Sequence, residues 1–168
     1  MRKRGRMGQA VARAGLCVAL LALVALQAAS ATPRQAPPFT VHLLDGGTLS
    51  LADLKGTPVI LLFWAPWCPT CNGEAPGWER AYRQLRGKRI QIVGLGLLDT
   101  KPAVEAFVRK YHLTFPNAYD DNGRIAKTYG FTVQPYWAVI SKDGVLVRAE
   151  YGPASAQALE AQIEELVR

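Results

Sequence analysis

Residues 39–168 show two hydrophobic patterns that alternate along the chain. Continuous apolar runs at Val59–Trp64 and Ile90–Leu97 have the length and composition of strands that are buried on both faces. Glycine-containing turns at 45–47 and 143–144 predict two hairpins of further strands. We place these strands at Phe39–Leu44, Thr48–Leu51, Tyr136–Ile140 and Val145–Tyr151.

Between the strands, apolar residues recur every three or four positions, which is the spacing of one buried helix face. This spacing predicts helices over 75–85, 101–112, 122–129 and 156–166, and a helical turn over 52–56. Strands that alternate with helices indicate an α/β fold: a mixed β-sheet with helices on both faces and an N-terminal β-hairpin extension. A single domain over residues 39–168 accounts for the pattern.

The first 31 residues have a different character. They carry five Lys or Arg and no acid, and the uncharged run Ala14–Leu26 leads to the small-residue cleavage pattern Ala29-Ser30-Ala31. This predicts a signal peptide cut before Thr32, or alternatively an uncleaved anchor in which only residues 14–31 contact the membrane. Both place the domain outside the cytoplasm. Residues 32–38, rich in proline, are predicted to form an extended spacer.

Composition and charge exclude several classes of function. The chain has 168 residues, 49% of them hydrophobic and 20% charged, which suits one globular domain. Its net charge of +7 comes mostly from the leader, since residues 32–168 carry 15 Lys or Arg against 13 Asp or Glu. We therefore expect no nucleic-acid binding. Three cysteines are too few for a disulfide scaffold.

Two of the cysteines lie where a buried strand meets a helix, in the string Trp67-Cys68-Pro69-Thr70-Cys71. The free N–H groups and the dipole at a helix start stabilise an anion, so Cys68 is the expected nucleophile. Cys71, one turn later, is placed to attack a mixed disulfide on Cys68 and release the product. No Lys, Arg or His lies within ten residues of Cys68, so the helix start must supply most of this effect locally.

The longer string over 63–71 (FWAPWCPTC), followed by Glu74 and Pro76, resembles the active site of the thioredoxin superfamily. It is most similar to the TlpA, ResA and CcmG (DsbE)-like extracytoplasmic thiol-disulfide oxidoreductases, which have a redoxin or AhpC/TSA-like domain. The resemblance covers roughly residues 38–168 and implies a thioredoxin-like sheet. It also implies that a redox-active disulfide between Cys68 and Cys71 takes the place of any added cofactor.

The string Val133-Gln134-Pro135 before a strand matches the loop in which this family has a cis proline that faces the active-site disulfide. There the backbone of Gln134 would be free to pair with an extended client chain. Trp67, Pro69 and Thr70 complete the set of predicted substrate-binding residues, since they lie next to or between the two cysteines in the chain.

Two positions distinguish branches of the family. Leu62 stands where cytoplasmic thioredoxins bury an aspartate, whereas Glu74 stands where the ResA-like branch has a glutamate. We predict that Glu74 is catalytic and assists proton transfer at Cys71. The alternative is that Glu74 only stabilises the first turns of its helix.

The implied function is disulfide exchange with protein thiols or disulfides of extracytoplasmic clients. A reductive version, in cytochrome c maturation or the reduction of secreted thiols, needs a membrane redox partner. The alternatives are a DsbE/DsbF-type oxidant and, in another class, a non-catalytic binding module. A peroxiredoxin would have a cysteine at the position of Gly73. His42 and His112 lack ligand spacing to the cysteines, so no metal site is predicted.

Other conspicuous residues have structural interpretations. Trp64 and Trp78 are predicted to pack in the core, Trp137 in the core or at its rim, and residues 120–123 in a turn that caps a helix. A cluster of cations is predicted to form a solvated face, with a docking surface for an acidic partner as the alternative. Its members are Arg80, Arg83, Arg86, Lys88 and Arg89.

Overall fold

A mixed β-sheet of five strands forms the centre of the domain in the computed structural model, which describes residues 33–166. The strands are β1 (Thr40–His42), β2 (Thr48–Ser50), β3 (Val59–Trp64), β4 (Gln91–Gly96), β5 (Asn117–Tyr119), β6 (Tyr136–Ile140) and β7 (Leu146–Tyr151). The sheet has the order β5-β4-β3-β6-β7. In this sheet β5, β4 and β3 are parallel to one another. Strand β6 is antiparallel to β3, and β7 is antiparallel to β6. The strands β1 and β2 pair as a separate hairpin.

Within residues 33–166, four α-helices connect or follow these strands. They are α1 (Pro69–Leu85), α2 (Lys101–Lys110), α3 (Arg124–Thr128) and α4 (Ala156–Leu166). Short 3₁₀ helices occur at Leu51–Leu54 and Arg86–Lys88. Pro76 lies inside α1, where its side chain is exposed.

Two hydrophobic cores lie on the two faces of the sheet. Because successive side chains of a strand point to opposite faces, the fully buried β3 contributes to both cores. Trp64 belongs to the core beneath α1, α2 and α4, where it stacks on Phe107 with 4.2 Å between ring centroids. Phe63 belongs to the opposite core with α3 and the hairpin. The predicted mixed sheet with helices on both faces and an N-terminal hairpin is thus confirmed.

The bounds of β3 and β6 agree with the sequence pattern, but β5 was not predicted. It has only three residues, begins with the buried Asn117, and exists because it pairs with β4 from a distant part of the chain. Trp137, which the sequence left open, is buried with 4% exposure and belongs to the core.

Part of the predicted spacer is bonded to the domain. The N–H of Leu146 donates to the carbonyl of Arg34 at 2.8 Å, and the hydroxyl of Tyr129 donates to the carbonyl of Pro37 at 2.6 Å. The folded unit therefore includes these spacer residues. The predicted signal peptide or anchor over residues 1–31 lies outside the described residues. Within residues 33–166, no helix has the length and apolar character needed to cross a membrane.

Candidate active site

Cys68 lies at the junction between the end of β3 and the start of α1. Pro69 is the first residue of α1, a position where its missing N–H costs the helix no hydrogen bond. The Sγ of Cys68 accepts a hydrogen bond from the backbone N–H of Cys71 at 3.2 Å. This contact lies at the positive end of the helix, where the sulfur takes the place of the side-chain oxygen that usually caps a helix.

The thiols of Cys68 and Cys71 face each other as free cysteines, with 2.6 Å between their Sγ atoms. Cys68 keeps 4% of its surface exposed, whereas Cys71 is completely buried. Burial raises the pKa of the Cys71 thiol well above its ordinary value, and its hydrogen bond to Cys68 adds to the rise. Cys68 is therefore the more accessible of the two thiols, and Cys71 holds its proton more tightly than an ordinary thiol.

Glu74 lies one helical turn beyond Cys71 and is half-buried. Its Oε2 accepts a hydrogen bond from the N–H of Ala154, in the loop before α4, at 3.0 Å. Burial raises the pKa of the Glu74 carboxyl, and the bond from Ala154 partly offsets the rise. The negative charge of Glu74 in turn helps to raise the pKa of Cys71. Glu74 also lines an open groove of about 340 Å³, which connects it with solvent.

Trp67 presents an exposed apolar surface beside Cys68. Its side chain is 56% exposed, yet its orientation is fixed because Nε1 donates to the carbonyl of Leu98 at 2.9 Å. Leu98 has a positive φ of 58° and is itself 53% exposed. Pro69 and Thr70 are exposed at the first turn of α1. These predicted substrate-binding residues are thus exposed and lie next to or between the two cysteines in the chain.

Gln134 and Pro135 immediately precede β6, and the peptide bond between them is cis. Tyr136, at the start of β6, pairs with Phe63, near the end of β3. The loop with Gln134 and Pro135 therefore lies at the same end of the sheet as the active-site turn, which follows β3. Both side chains are buried, Gln134 with 9% exposure. Within residues 33–166 the backbone of Gln134 makes no hydrogen bond, so it is available to an extended chain.

Asn72 is an active-site residue that the sequence analysis missed. Its Nδ2 donates to the carbonyls of Pro66 and Cys68, both at 2.8 Å. Its Oδ1 accepts from the Tyr111 hydroxyl at 2.7 Å and from Lys110 Nζ at 3.1 Å. Lys110 is thus a cation that the fold brings to the active-site turn from 38 residues away. Only the position of Asn72 directly after Cys71 offered a signal.

The model of the AhpC/TSA family matches residues 33–149 of the chain. The chain belongs to the AhpC/TSA family. Its relatives include the thiol-disulfide oxidoreductase ResA of Bacillus thuringiensis subsp. konkukian, which is 36% identical over 133 residues, 79% of this chain and 77% of ResA. The sequence of this chain is therefore similar to that of a named thiol-disulfide oxidoreductase.

Solved structures extend the comparison. The structure of MTB DsbF in mixed oxidized and reduced forms has 34% identity and a TM-score of 0.71, over 76% of this chain and 94% of that one. A secreted Mycobacterium tuberculosis disulfide oxidoreductase, homologous to E. coli DsbE, has 32% identity and a TM-score of 0.68, over 76% and 96%. These matches confirm the predicted thioredoxin superfamily and its ResA/CcmG-like branch. This AhpC/TSA family member is a thiol-disulfide oxidoreductase.

The remaining polar clusters of the oxidoreductase have structural contacts. Arg83 pairs with Glu79 at 2.7 Å while most of its side chain stays exposed. Asp120 accepts from the N–H groups of Ile125 and Ala126, so the predicted turn does cap α3. Among residues 33–166, no group of three or more His, Cys, Asp or Glu side chains is arranged to hold a metal ion.

Proposed function

We propose that this oxidoreductase acts outside the cytoplasm, through Cys68 and Cys71, to reduce disulfides in client proteins. The observation that carries the proposal is the unequal burial of the two thiols at the start of α1. Cys68 is capped by an N–H and reachable, whereas Cys71 is enclosed within 2.6 Å of it. This is the arrangement needed for one attacking and one resolving thiol.

In the reductive direction, the thiolate of Cys68 attacks one sulfur of a client disulfide, and the other client sulfur leaves as a thiolate that takes up a proton. A mixed disulfide then joins the client to Cys68. Cys71 loses its proton and attacks Cys68 Sγ, which releases the second client thiol and leaves the Cys68–Cys71 disulfide. Two electrons pass to the client, and a reductant must later return two.

Glu74 serves in this scheme as the base that accepts the proton of Cys71. A carboxylate whose pKa is raised by burial is a stronger base than an ordinary one, which suits it to a thiol of raised pKa. The open groove beside Glu74 gives the proton a route to solvent. When the reaction runs backwards, the same carboxyl returns the proton.

The client chain lies, in this proposal, across the exposed surface formed by Trp67, Pro69 and Thr70. The unpaired backbone of Gln134, held next to Pro135, would bond to the backbone of an extended client segment in the manner of an added strand. Such binding recognises extended chain around a cysteine rather than one particular sequence. Pairing through the backbone of Gln134 favours a protein as the client rather than a small-molecule thiol.

The reductive direction is proposed from the similarity to ResA, and its reductant would be a membrane redox partner. Clients would include the haem-site cysteines of cytochrome c or other secreted thiols. Location outside the cytoplasm is proposed from the leader pattern over residues 1–31, cleaved or retained as an anchor. The specific observation favouring a second candidate, an oxidant of secreted proteins, is the similarity to the MTB DsbF structure.

The reduction potential of the cysteine pair tests the direction. The full chain carrying Cys17→Ser, so that only Cys68 and Cys71 titrate, would be equilibrated with defined dithiol buffers. A potential of about −270 mV or lower, as for thioredoxin, is expected of a reductase. A value of about −120 to −180 mV, the range of DsbA and protein disulfide isomerase, would assign the oxidant instead.

Two variants test the roles of the cysteines. Cys68→Ser should abolish both insulin reduction and oxidative refolding of a reduced client. Cys71→Ser should leave attack intact but trap mixed disulfides on Cys68, visible as client-linked bands on non-reducing gels. Full activity in Cys68→Ser would refute the proposed mechanism, and inert exchange of the unmodified pair would favour a binding module.

A further inference from the structure

We infer that Asn72 is a positioning residue, which holds the Cys68 turn in the shape that favours the disulfide and ties this shape to the C-terminal end of α2. The inference deepens the proposed function and rests on it, because it takes Cys68 and Cys71 as the redox pair. Asn72 does not touch the reacting sulfur atoms in this scheme. It acts through the backbone that carries Cys68.

One end of the Asn72 amide holds the active-site turn. Its Nδ2 donates to the carbonyl of Pro66 and to the carbonyl of Cys68, both at 2.8 Å. The backbone N–H of Asn72 also donates to the Cys68 carbonyl, at 3.0 Å. The segment between Pro66 and Cys68 is therefore fixed at two carbonyls by a single side chain that lies on α1.

The other end of the amide reaches α2. Its Oδ1 accepts from the hydroxyl of Tyr111 at 2.7 Å and from the Nζ of Lys110 at 3.1 Å. All four hydrogen-bonding capacities of the amide are thus used. The partners also fix its orientation, because carbonyls only accept and an ammonium only donates. A side chain that ends in a carboxylate, an ammonium or a hydroxyl could not replace the amide here, because none of them has two N–H donors on one terminal atom and an acceptor on another.

This arrangement bears on the redox equilibrium. A disulfide forms more readily when the two thiols are held at a high effective concentration. Since Asn72 fixes the turn that carries Cys68 to the helix that carries Cys71, its removal should lower that concentration. The disulfide would then be less stable relative to the dithiol, and the protein would become a stronger oxidant.

The experiment equilibrates the full chain carrying Cys17→Ser with glutathione buffers and measures the fraction of Cys68–Cys71 disulfide. Asn72→Ala should lower the equilibrium constant for disulfide formation by about three- to tenfold, the range expected for lost hydrogen bonds. A tenfold change corresponds to 29.6 mV towards oxidising values. Tyr111→Phe, which removes one hydroxyl, should shift the constant in the same direction by less.

The matched control is Thr114→Val, which removes a hydrogen bond to Glu79 of the same helix at 2.7 Å, away from the cysteine turn. It should lower the melting temperature without moving the redox constant. The double variant Asn72→Ala/Tyr111→Phe should shift the constant no further than Asn72→Ala, because both changes break one network.

The outcomes distinguish failure of the proposed function from failure of the inference about Asn72. If the unmodified pair does not titrate as a two-electron couple, the proposed function falls and this inference falls with it. If it does, and Asn72→Ala loses stability but keeps the redox constant, Asn72 is merely structural and only this inference is overturned. Should Asn72→Ala fail to fold, Tyr111→Phe decides: an unchanged redox constant in that variant overturns the inference as well.

Discussion

Two glutamates on α1 lie five residues apart and have very different surroundings. Glu79 is 5% exposed, and its Oε1 accepts from Arg83 and from the hydroxyl of Thr114, both at 2.7 Å. Its Oε2 accepts from the backbone N–H of Thr114 at 2.7 Å. Glu74 is half-buried and accepts one hydrogen bond, from Ala154, among the described residues.

The difference shows that burial alone does not indicate a catalytic carboxyl. Glu79 is more buried than Glu74, but its oxygens accept from three donors, and the two donors on Thr114 anchor the loop after α2. Glu74 has lost solvent without gaining a full set of partners, and burial raises its pKa. It also acts electrostatically on Cys71. A carboxyl with few partners beside a thiol is suited to exchange protons, whereas a fully bonded one is suited to hold structure.

The largest expected effect is on Glu74→Gln. Removing the base should slow the release of a mixed disulfide between Cys68 and a client by about 100-fold at neutral pH, the usual contribution of a general base. Rapid-quench measurement of client release gives the rate. Glutamine keeps an acceptor for Ala154, so the fold should persist. A rate equal to that of the unmodified protein would leave Glu74 with the helix-stabilising role only.

Glu79→Ala should show the opposite behaviour. It leaves the N–H and hydroxyl of Thr114 and the guanidinium of Arg83 without their shared acceptor, which should cost about 2 kcal/mol of unfolding free energy. Urea denaturation measures this loss. The exchange rate of the folded protein should stay within about twofold of the original. A large fall in that rate would mean that the two glutamates do not divide the roles as described.

Thr114→Val tests a single hydrogen bond to Glu79, the one from the Thr114 hydroxyl. It removes the hydroxyl that donates to Glu79 Oε1 but keeps the backbone donor to Oε2. The expected loss is about 1 kcal/mol, because a valine of similar shape leaves two other donors on the carboxylate. Urea denaturation of this variant beside Glu79→Ala measures the difference. Equal losses in the two variants would show that the hydroxyl alone carries the anchor.

The smallest effect concerns how stability depends on pH. Because the pKa of Glu74 is higher in the native state than its ordinary value of 4.5, the native protein binds more protons than the unfolded chain between the two values. Stability therefore falls as pH rises through that window. The melting temperature of Glu74→Gln minus that of the original should grow from pH 4 upwards and then level off. A difference that is constant with pH would contradict the raised pKa.

The sequence was a good guide where the chemistry is local. The apolar run over 59–64 predicted β3, and the cysteine spacing predicted two thiols one helical turn apart at the start of α1. Glu74 was found through the resemblance to the ResA-like branch, which has a glutamate three residues after the second cysteine. Each of these features depends on neighbours within a few residues, so the pattern of residues contains the information.

Features that depend on distant contacts were not predictable in this way. The short β5 is a strand only because β4 pairs with it. Asn72 owes its role to Tyr111 and Lys110, which are 39 and 38 residues away. The hydrogen bond that orients Glu74 comes from Ala154, 80 residues further along the chain. A backbone N–H leaves no mark in a sequence that would indicate such a bond.

Pro76, inside α1, gives the helix an uneven stiffness along its length. Proline has no N–H, so the helical bond that would reach the carbonyl of Asn72 is missing. The first turn of α1, next to the cysteines, is therefore held less tightly to the rest of the helix. The longer part after Pro76 is hydrogen-bonded to neighbouring segments, Trp78 to Ala154 and Glu79 to Thr114. Making or breaking the bond between the two sulfur atoms therefore acts first on this first part of the helix, which Asn72 connects to Tyr111 and Glu74 connects to Ala154.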